Sequence, residues 1–88
     1  MPTGHLPFLG RIPMYEGDAD QLAGKLVRIR LQRGVLKVLV GVFLGEDSEY
    51  IRISELYSYN RFRVKVVPKT HIASIETLDL TTGKWPED

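Results

Sequence analysis

The feature that most constrains this chain is an alternation of apolar and polar residues, which begins at Lys25 and recurs as far as Leu78. Successive side chains of a β-strand point to opposite faces, so a period of two predicts strands with one buried and one solvent-facing side. In the first segment the apolar positions are Val27, Ile29 and Leu31. The alternation therefore predicts a mainly β protein.

Turn-forming residues divide this region into five short strands. The predicted turns are Arg33-Gly34, residues 45–48, the polar and tyrosine-bearing segment 54–60, and residues 69–71. Pro68 ends the fourth strand, and residues 72–78 form the fifth. Five short strands with tight links in about 55 residues predict a small, strongly bent antiparallel barrel. If the barrel is open, strands four and five keep unpaired edges.

The first turn decides which side of the second strand faces the core. If its loop has two or four residues, Leu31 pairs with Leu36 and both lie on the inner face. The inner residues of the second strand are then Leu36, Val38, Val40, Val42 and Leu44, and the outer ones, named here the second-strand stripe, are Val35, Leu39 and Phe43. This stripe needs a cover, for which the N-terminal arm, the short helix and a second subunit are the candidates.

The third and fourth strands continue the alternation. A four-residue loop at 45–48 places Ile51 and Ile53 inside, opposite Val42 and Val40, and Tyr50 outside, opposite Phe43. In the fourth strand, the apolar residues Phe62, Val64 and Val66 alternate with the basic residues Arg61, Arg63 and Lys65.

The chain before the first strand is predicted to be an arm and a short helix. Residues 1–17 hold three of the five prolines and no sustained period, which predicts an extended arm whose Phe8 or Leu9 docks against the second-strand stripe. Asp18 or Asp20 is expected to cap a short helix that ends at Gly24. The predicted organisation is an extended arm at 1–17, a barrel at 18–78 and a polar C-terminal tail at 79–88.

Length and composition exclude several classes of protein. The 88 residues allow one domain with a small core, so oligomerisation would add stability. The absence of cysteine and the presence of only two histidines, His5 and His71, argue against disulfides and zinc sites. No catalytic set of side chains stands out, so we expect no enzyme activity, no metal and no cofactor. No apolar run reaches the roughly 20 residues of a membrane span, so a cytoplasmic protein is expected.

Charge is unevenly distributed, although the net charge is only +1. Residues 25–69 carry ten Lys or Arg against four acids, whereas both ends of the chain are acidic. A basic middle indicates a polyanion partner or, equally, a set of solvated strand faces.

The order of these features resembles the Sm-like family of small barrels, which includes the Sm, LSm and Hfq proteins. The matching positions are an alternating strand, a turn glycine, a mid-strand glycine that permits a bend and a loop aspartate: Val27, Ile29, Leu31, Gly34, Gly41 and Asp47. The segment His71-Ile72-Ala73-Ser74-Ile75 matches the second family motif in outline. The resemblance covers residues 18–78. It implies an SH3-like or Sm-like barrel whose strand edges pair between neighbours in a homo-oligomeric ring that binds RNA or other single-stranded nucleic acid.

Three departures from the family pattern bear on the nucleotide pocket. The stretch from Gly34 to Gly41 is longer than is usual, Ile51 stands where the family has a base-recognising asparagine, and Pro68-Lys69 replaces an Arg-Gly pair. The resemblance therefore favours the fold more than the pocket. The alternative function is a non-catalytic protein-interaction or scaffold barrel that has lost the nucleotide pocket.

The first group of candidate RNA-binding residues follows from the resemblance. His71 stands at a base or phosphate contact with Lys69 beside it, and the competing interpretation is that His71 caps a turn. Tyr50 can stack on a base or pair with Phe43 across the strands. Asp47 can orient a base edge or simply form a turn.

A second group lies in the segment that is richest in aromatic and basic residues. Its members are Tyr57, Tyr59, Asn60, Arg61 and Arg63. Interleaved aromatic and basic side chains suit single-stranded nucleic acid, where bases stack and phosphates pair with arginine. They suit a protein interface equally, because Tyr and Arg are enriched at interaction hot spots.

Overall fold

A computed structural model describes residues 9–33 and 37–86 of the chain. Its strands are β1 at Leu26–Leu31, β2 at Val38–Glu46, β3 at Tyr50–Ser58, β4 at Arg61–Pro68 and β5 at Ile72–Thr77. A first 3-10 helix at Ala19–Gln21 precedes β1, and a second at Lys69–His71 links β4 to β5. The mainly β fold predicted from the alternation is confirmed.

The strands form one antiparallel sheet in the order β4-β3-β2-β1-β5. Strands adjacent in the chain pair from β1 to β4, and β5 returns to pair with β1. Over the described residues β4 and β5 do not pair with each other, so the sheet is open and the expected barrel is not closed. The two strands at the edges of the sheet are therefore β4 and β5.

The core lies on one face of this sheet, called here the inner face. Across the sheet, Ile29 pairs with both Leu39 and Ile75, and Phe43 pairs with Ile53. The buried apolar cluster comprises Leu9, Ile12, Ala19, Leu22, Val27, Ile29, Leu39, Phe43, Ile51, Ile53, Val67, Ile72 and Ile75. The opposite side of the sheet is called the outer face.

The side of β2 that faces the core is the opposite of the predicted one. Ile29 pairs with Leu39, and the N–H of Leu31 donates to the carbonyl of Lys37 at 2.9 Å. Residues 32–36 therefore separate the paired positions, which is an odd number where the prediction assumed an even one. A shift of one residue turns every side chain of a strand to the other face. As a result Leu39 and Phe43 are buried, and the exposed residues are Val38, Val40 and Leu44.

Two residues of that prediction, Val35 and Leu36, lie outside the described residues. Ile51 and Ile53 are fully buried, as predicted, although their cross-strand partners differ. β2 continues to Glu46 and a β-bulge lies between Phe43 and Gly45, so that Ile53 pairs with Phe43 and Ile51 pairs with Glu46. The predicted pairing of Phe43 with Tyr50 is therefore wrong.

The segment predicted as a polar connection at 54–60 is mostly strand. β3 continues to Ser58, which pairs with Arg61, so that only Tyr59 and Asn60 form the turn. Asn60 has a φ of 55°, which suits a two-residue hairpin turn. The polar composition concealed this strand because both faces of the hairpin are exposed near its tip.

The described part of the predicted arm, residues 9–17, folds into turns. The N–H of Leu9 donates to the carbonyl of Gly17 at 2.8 Å, which closes a compact loop. The N–H of Met14 donates to the carbonyl of Ala73 at 3.1 Å and holds this loop against β5. The extended arm is thus not seen over these residues.

Leu9 is buried in the same apolar cluster as Leu39 and Phe43, two residues of the predicted second-strand stripe. The cluster lies on the core side of the sheet, since these two residues of the stripe face inward. Phe8, the other residue expected to dock there, lies outside the described residues.

The predicted short helix is a single 3-10 turn at Ala19–Gln21. Asp18 holds the capping position but makes no side-chain capping hydrogen bond. Over the described residues, no helix has both the length and the apolar character that crossing a membrane requires. At the other end, Asp79 and Lys84 form an isolated antiparallel bridge, and the turn between them carries Gly83 at a φ of 71°.

Gly41 lies where β2 and β3 approach closely. A Cβ at this position would stand 2.5 Å from the backbone carbonyl oxygen of Ser54, so the strands would have to separate. We expect Gly41→Ala to lower the free energy of unfolding by about 1–3 kcal/mol. Gly45→Ala is the control, because its Cβ would meet only the flexible end of Arg52, and it should cost under about 1 kcal/mol. Urea unfolding measures both, and equal losses would contradict the close approach.

Candidate interaction surfaces

The end of the sheet that holds the β2–β3 loop gathers most residues of the first candidate group. The N–H of Lys69 donates to the carbonyl of Glu49 at 2.8 Å, so the second 3-10 helix lies beside this loop. The N–H of Asp47 donates to the carbonyl of Tyr50 at 2.8 Å, which closes the loop itself. The structure thus brings Asp47, Tyr50 and the backbone of Lys69 together at this loop, whereas His71 lies beside Gln32 after β1.

Lys69 does not take part in that surface, because its side chain is only 1% exposed. Its ammonium group forms an ion pair with the carboxylate of Glu46, which is itself fully buried. Glu46 lies on the inner face at the end of β2, opposite Ile51. A buried lysine with a buried carboxylate partner cannot meet a phosphate in solvent without breaking that pair. A phosphate contact at Lys69 would therefore require this buried pair to open.

The remaining members of the first group are exposed, and each lies against a neighbouring residue of the protein. The guanidinium of Arg52 donates to Asp47 Oδ2 at 2.7 Å, which favours the interpretation of Asp47 as a turn residue. Tyr50 is 45% exposed and lies opposite Pro68 on the outer face. His71 is exposed, and its backbone carbonyl accepts the N–H of Gln32 at 2.9 Å.

The second candidate group lies at the opposite end of the β3–β4 hairpin. Tyr57 is 45% exposed and Tyr59, in the turn, is 88% exposed. The guanidinium of Arg63 stands 4.6 Å from the centroid of the Tyr57 ring, and its Nε donates to Glu55 Oε1 at 3.2 Å. Arg61 is exposed beside them. Among the sequence-predicted residues, these four form the group that the structure brings together and leaves accessible.

A third surface was not predicted, and it is apolar. It occupies the outer face of β2, β3 and β4, where Leu56 pairs with Phe62, and Ser54 pairs with both Val42 and Val64. The residues named here the apolar face are Val38, Val40, Leu56, Phe62, Val64 and Val66, with exposures from 39% to 64%. The sequence indicated the β4 part of this surface through the alternation of Phe62, Val64 and Val66. It did not indicate the β2 part, because Val38 and Val40 were predicted to face the core.

The other half of the outer face, over β1 and β5, is charged and covered. Arg28 Nε donates to Glu76 Oε1 at 2.7 Å, and Arg30 Nε lies 3.5 Å from the same oxygen. The guanidinium of Arg28 also lies 4.9 Å from the centroid of the Trp85 ring. The C-terminal segment thus covers β1 and leaves the apolar face open.

Burial raises the pKa of the Tyr15 hydroxyl, with the Asp18 carboxylate as the smaller cause. Tyr15 packs against the core, and its hydroxyl donates to Gln21 Oε1 at 3.2 Å. Within residues 9–33 and 37–86, no three His, Asp or Glu side chains come together as metal ligands.

Comparisons with protein-family models, with curated proteins and with solved structures found no match.

Proposed function

We propose that this chain is a non-catalytic protein-interaction or scaffold domain that assembles with further copies of itself. The observation that carries the proposal is the apolar face, whose six residues are 39% to 64% exposed. Soluble monomers rarely expose contiguous apolar patches of more than a few hundred Å², and larger patches mark interaction sites. The nucleotide pocket of the Sm-like resemblance has weaker support, because Lys69 and Ile51 are buried.

The strand edges also support assembly. Within the described residues, β4 pairs only with β3 and β5 only with β1, so each leaves a row of backbone groups without a strand partner. Such edges are a liability that proteins cover, shorten or pair with another chain. A homo-oligomeric ring of the Sm-like kind, in which neighbouring edges pair, is one form that this assembly can take.

The first test is the mass of the protein in solution. We expect light scattering at micromolar concentration to give the mass of two or more chains, because an 88-residue domain gains stability by covering apolar surface. A dilution series serves as the control, since a specific assembly should dissociate to monomer over a defined concentration range. A monomer mass throughout the series would contradict the proposal.

RNA binding is a second candidate function, and the β3–β4 hairpin favours it. Tyr57, Tyr59, Arg61 and Arg63 are exposed together near the hairpin tip, and Lys65 follows on the same strand. Glu55 is an acidic neighbour of these residues. Its Oε1 lies 3.2 Å from Arg63 Nε and 3.9 Å from Lys65 Nζ. Stacking of a base on an exposed tyrosine contributes roughly 1–3 kcal/mol and tolerates any base.

The RNA candidate predicts weak, salt-dependent binding with little base preference. Fluorescence anisotropy with labelled oligo-U and oligo-A at two salt concentrations measures it, with an expected slope of about −0.7 per phosphate contact. Replacing both Arg61 and Arg63 by alanine should weaken binding and flatten that slope. Replacing Arg11 and Arg52, which contact the β2–β3 loop, is the matched control of equal charge. No binding to either oligonucleotide at low salt would exclude this candidate.

A further inference from the structure

We infer that the apolar face binds the same face of a second copy of this chain, so that two sheets stack about a two-fold axis. This inference rests on the proposed function and specifies its contact: face to face through β2, β3 and β4 rather than edge to edge. The occupant is a second copy, as the continuity, area, symmetry and charge of this surface indicate.

The apolar face is continuous across three strands. Leu56 pairs with Phe62 across β3 and β4, and the register that pairs Gly41 with Glu55 brings Val40 to the level of Leu56. Val64 and Val66 extend the surface along β4. Side chains on a strand stand roughly perpendicular to the sheet, so these residues present one apolar layer to solvent.

The area of this layer reaches the minimum for a biological interface. Exposures of 39% to 64% over six residues amount to roughly 500 Å² of apolar surface on one chain. Two copies in contact would bury about 1,000 Å², which is the least that a biological interface should clear and is less than the roughly 1,200–2,000 Å² of stable complexes. This area fits a weakly associating dimer.

Symmetry favours a second copy over a foreign partner. In a two-fold contact, the same patch serves on both subunits, so an apolar layer without charged members is self-complementary. β-branched side chains dominate it, four of the six being valine, and they pack well between sheets. A foreign partner selected by charge would require charged groups inside the patch, and the six residues supply none.

The charges at its borders do not oppose such a contact. On the β1 side, Arg28 and Arg30 share the carboxylate of Glu76. On the outer face of β3, Arg52 is paired with Asp47 at 2.7 Å. Stacking a second sheet would therefore bury ion pairs at its rim rather than single charges, whose desolvation is the larger penalty.

Val64 is the position for the test, since it pairs with Ser54 in the middle of the face and is 64% exposed. We expect Val64→Lys to raise the dissociation constant of the assembly by roughly 100-fold or more, because it places charges in an apolar interface. Sedimentation velocity over a concentration series measures the constant. Leu80→Lys is the matched control, as Leu80 is 87% exposed in the C-terminal turn, and it should leave the constant unchanged.

Val64→Thr is the second variant, and it keeps the shape and strand preference of valine while adding a hydroxyl group. It should weaken the assembly by roughly tenfold with an unchanged circular dichroism spectrum. If Val64→Lys unfolds, this variant alone decides the question.

The outcomes separate the inference from the proposed function. An assembly that both Val64 variants leave intact would overturn the inference but keep the scaffold function, with the strand edges as the contact. A wild-type monomer would overturn both, and would leave the apolar face to a foreign protein. Dissociation by the Val64 variants, with Leu80→Lys still assembled, is the result that supports two stacked sheets.

Discussion

Replacing Lys69 by methionine should lower the free energy of unfolding by roughly 3–5 kcal/mol, because it leaves the Glu46 carboxylate buried without its cationic partner. Stability of a domain this size is roughly 5–15 kcal/mol, so the variant would lose a large share of it. Chemical denaturation at neutral pH measures the loss from the midpoint and the slope.

The double variant Glu46→Leu with Lys69→Met is the decisive control for this prediction. Replacing both charges by apolar side chains of similar volume removes the desolvation penalty together with the attraction, so its stability should be near that of the wild type or higher. Breaking the exposed pair through Arg52→Met should cost under about 1 kcal/mol, since solvent screens it. If Lys69→Met behaves like Arg52→Met, the buried pair is not a structural element.

Replacing Phe43 by alanine should cost about 3–5 kcal/mol, because this side chain is fully buried among the core residues of β1, β2 and β3. Its neighbour Leu44 is 47% exposed, so Leu44→Ala should cost under about 1 kcal/mol. Thermal or urea unfolding of the two variants compares adjacent residues of one strand. This contrast tests the direction in which β2 faces.

If Leu44→Ala lowers the free energy of unfolding more than Phe43→Ala does, the side of β2 predicted from the sequence to face the core is the correct one. An even loop between β1 and β2 buries Leu44 and exposes Phe43, whereas the observed pairing of Arg30 with Val38 does the opposite. The two unfolding experiments therefore decide between the registers without any assumption about function or assembly.

Much of the sheet could be predicted because strand formation depends on local pattern. The alternation of Val27, Ile29 and Leu31 marks β1, and Ile51 and Ile53 were placed correctly in the core. The residues Tyr57 to Arg63 were singled out as the segment richest in aromatic and basic side chains, and the structure leaves them exposed. The alternation and the composition are properties of neighbouring residues, so they predict a strand whichever other strand it pairs with.

The candidate site was harder to predict, because it depends on distant partners. Lys69 was expected at a phosphate contact from its place beside His71, whereas its partner Glu46 lies 23 positions earlier on another strand. Nothing in the local sequence distinguishes a solvated lysine from one that is paired in the core. Likewise, Trp85 covers Arg28 from the far end of the chain.

By itself, the sequence determined that the chain forms short antiparallel strands, that β2 carries a glycine in its middle, and that one segment is basic and aromatic. Only the tertiary structure decided which face of β2 is buried, because one additional loop residue reverses every side chain of the strand. That reversal places Leu39 and Phe43 in the core and brings Val38 and Val40 beside the exposed valines of β4. The apolar face arises from this register, because residues of β2 and β4 are far apart in the sequence and form one surface only after the strands pair.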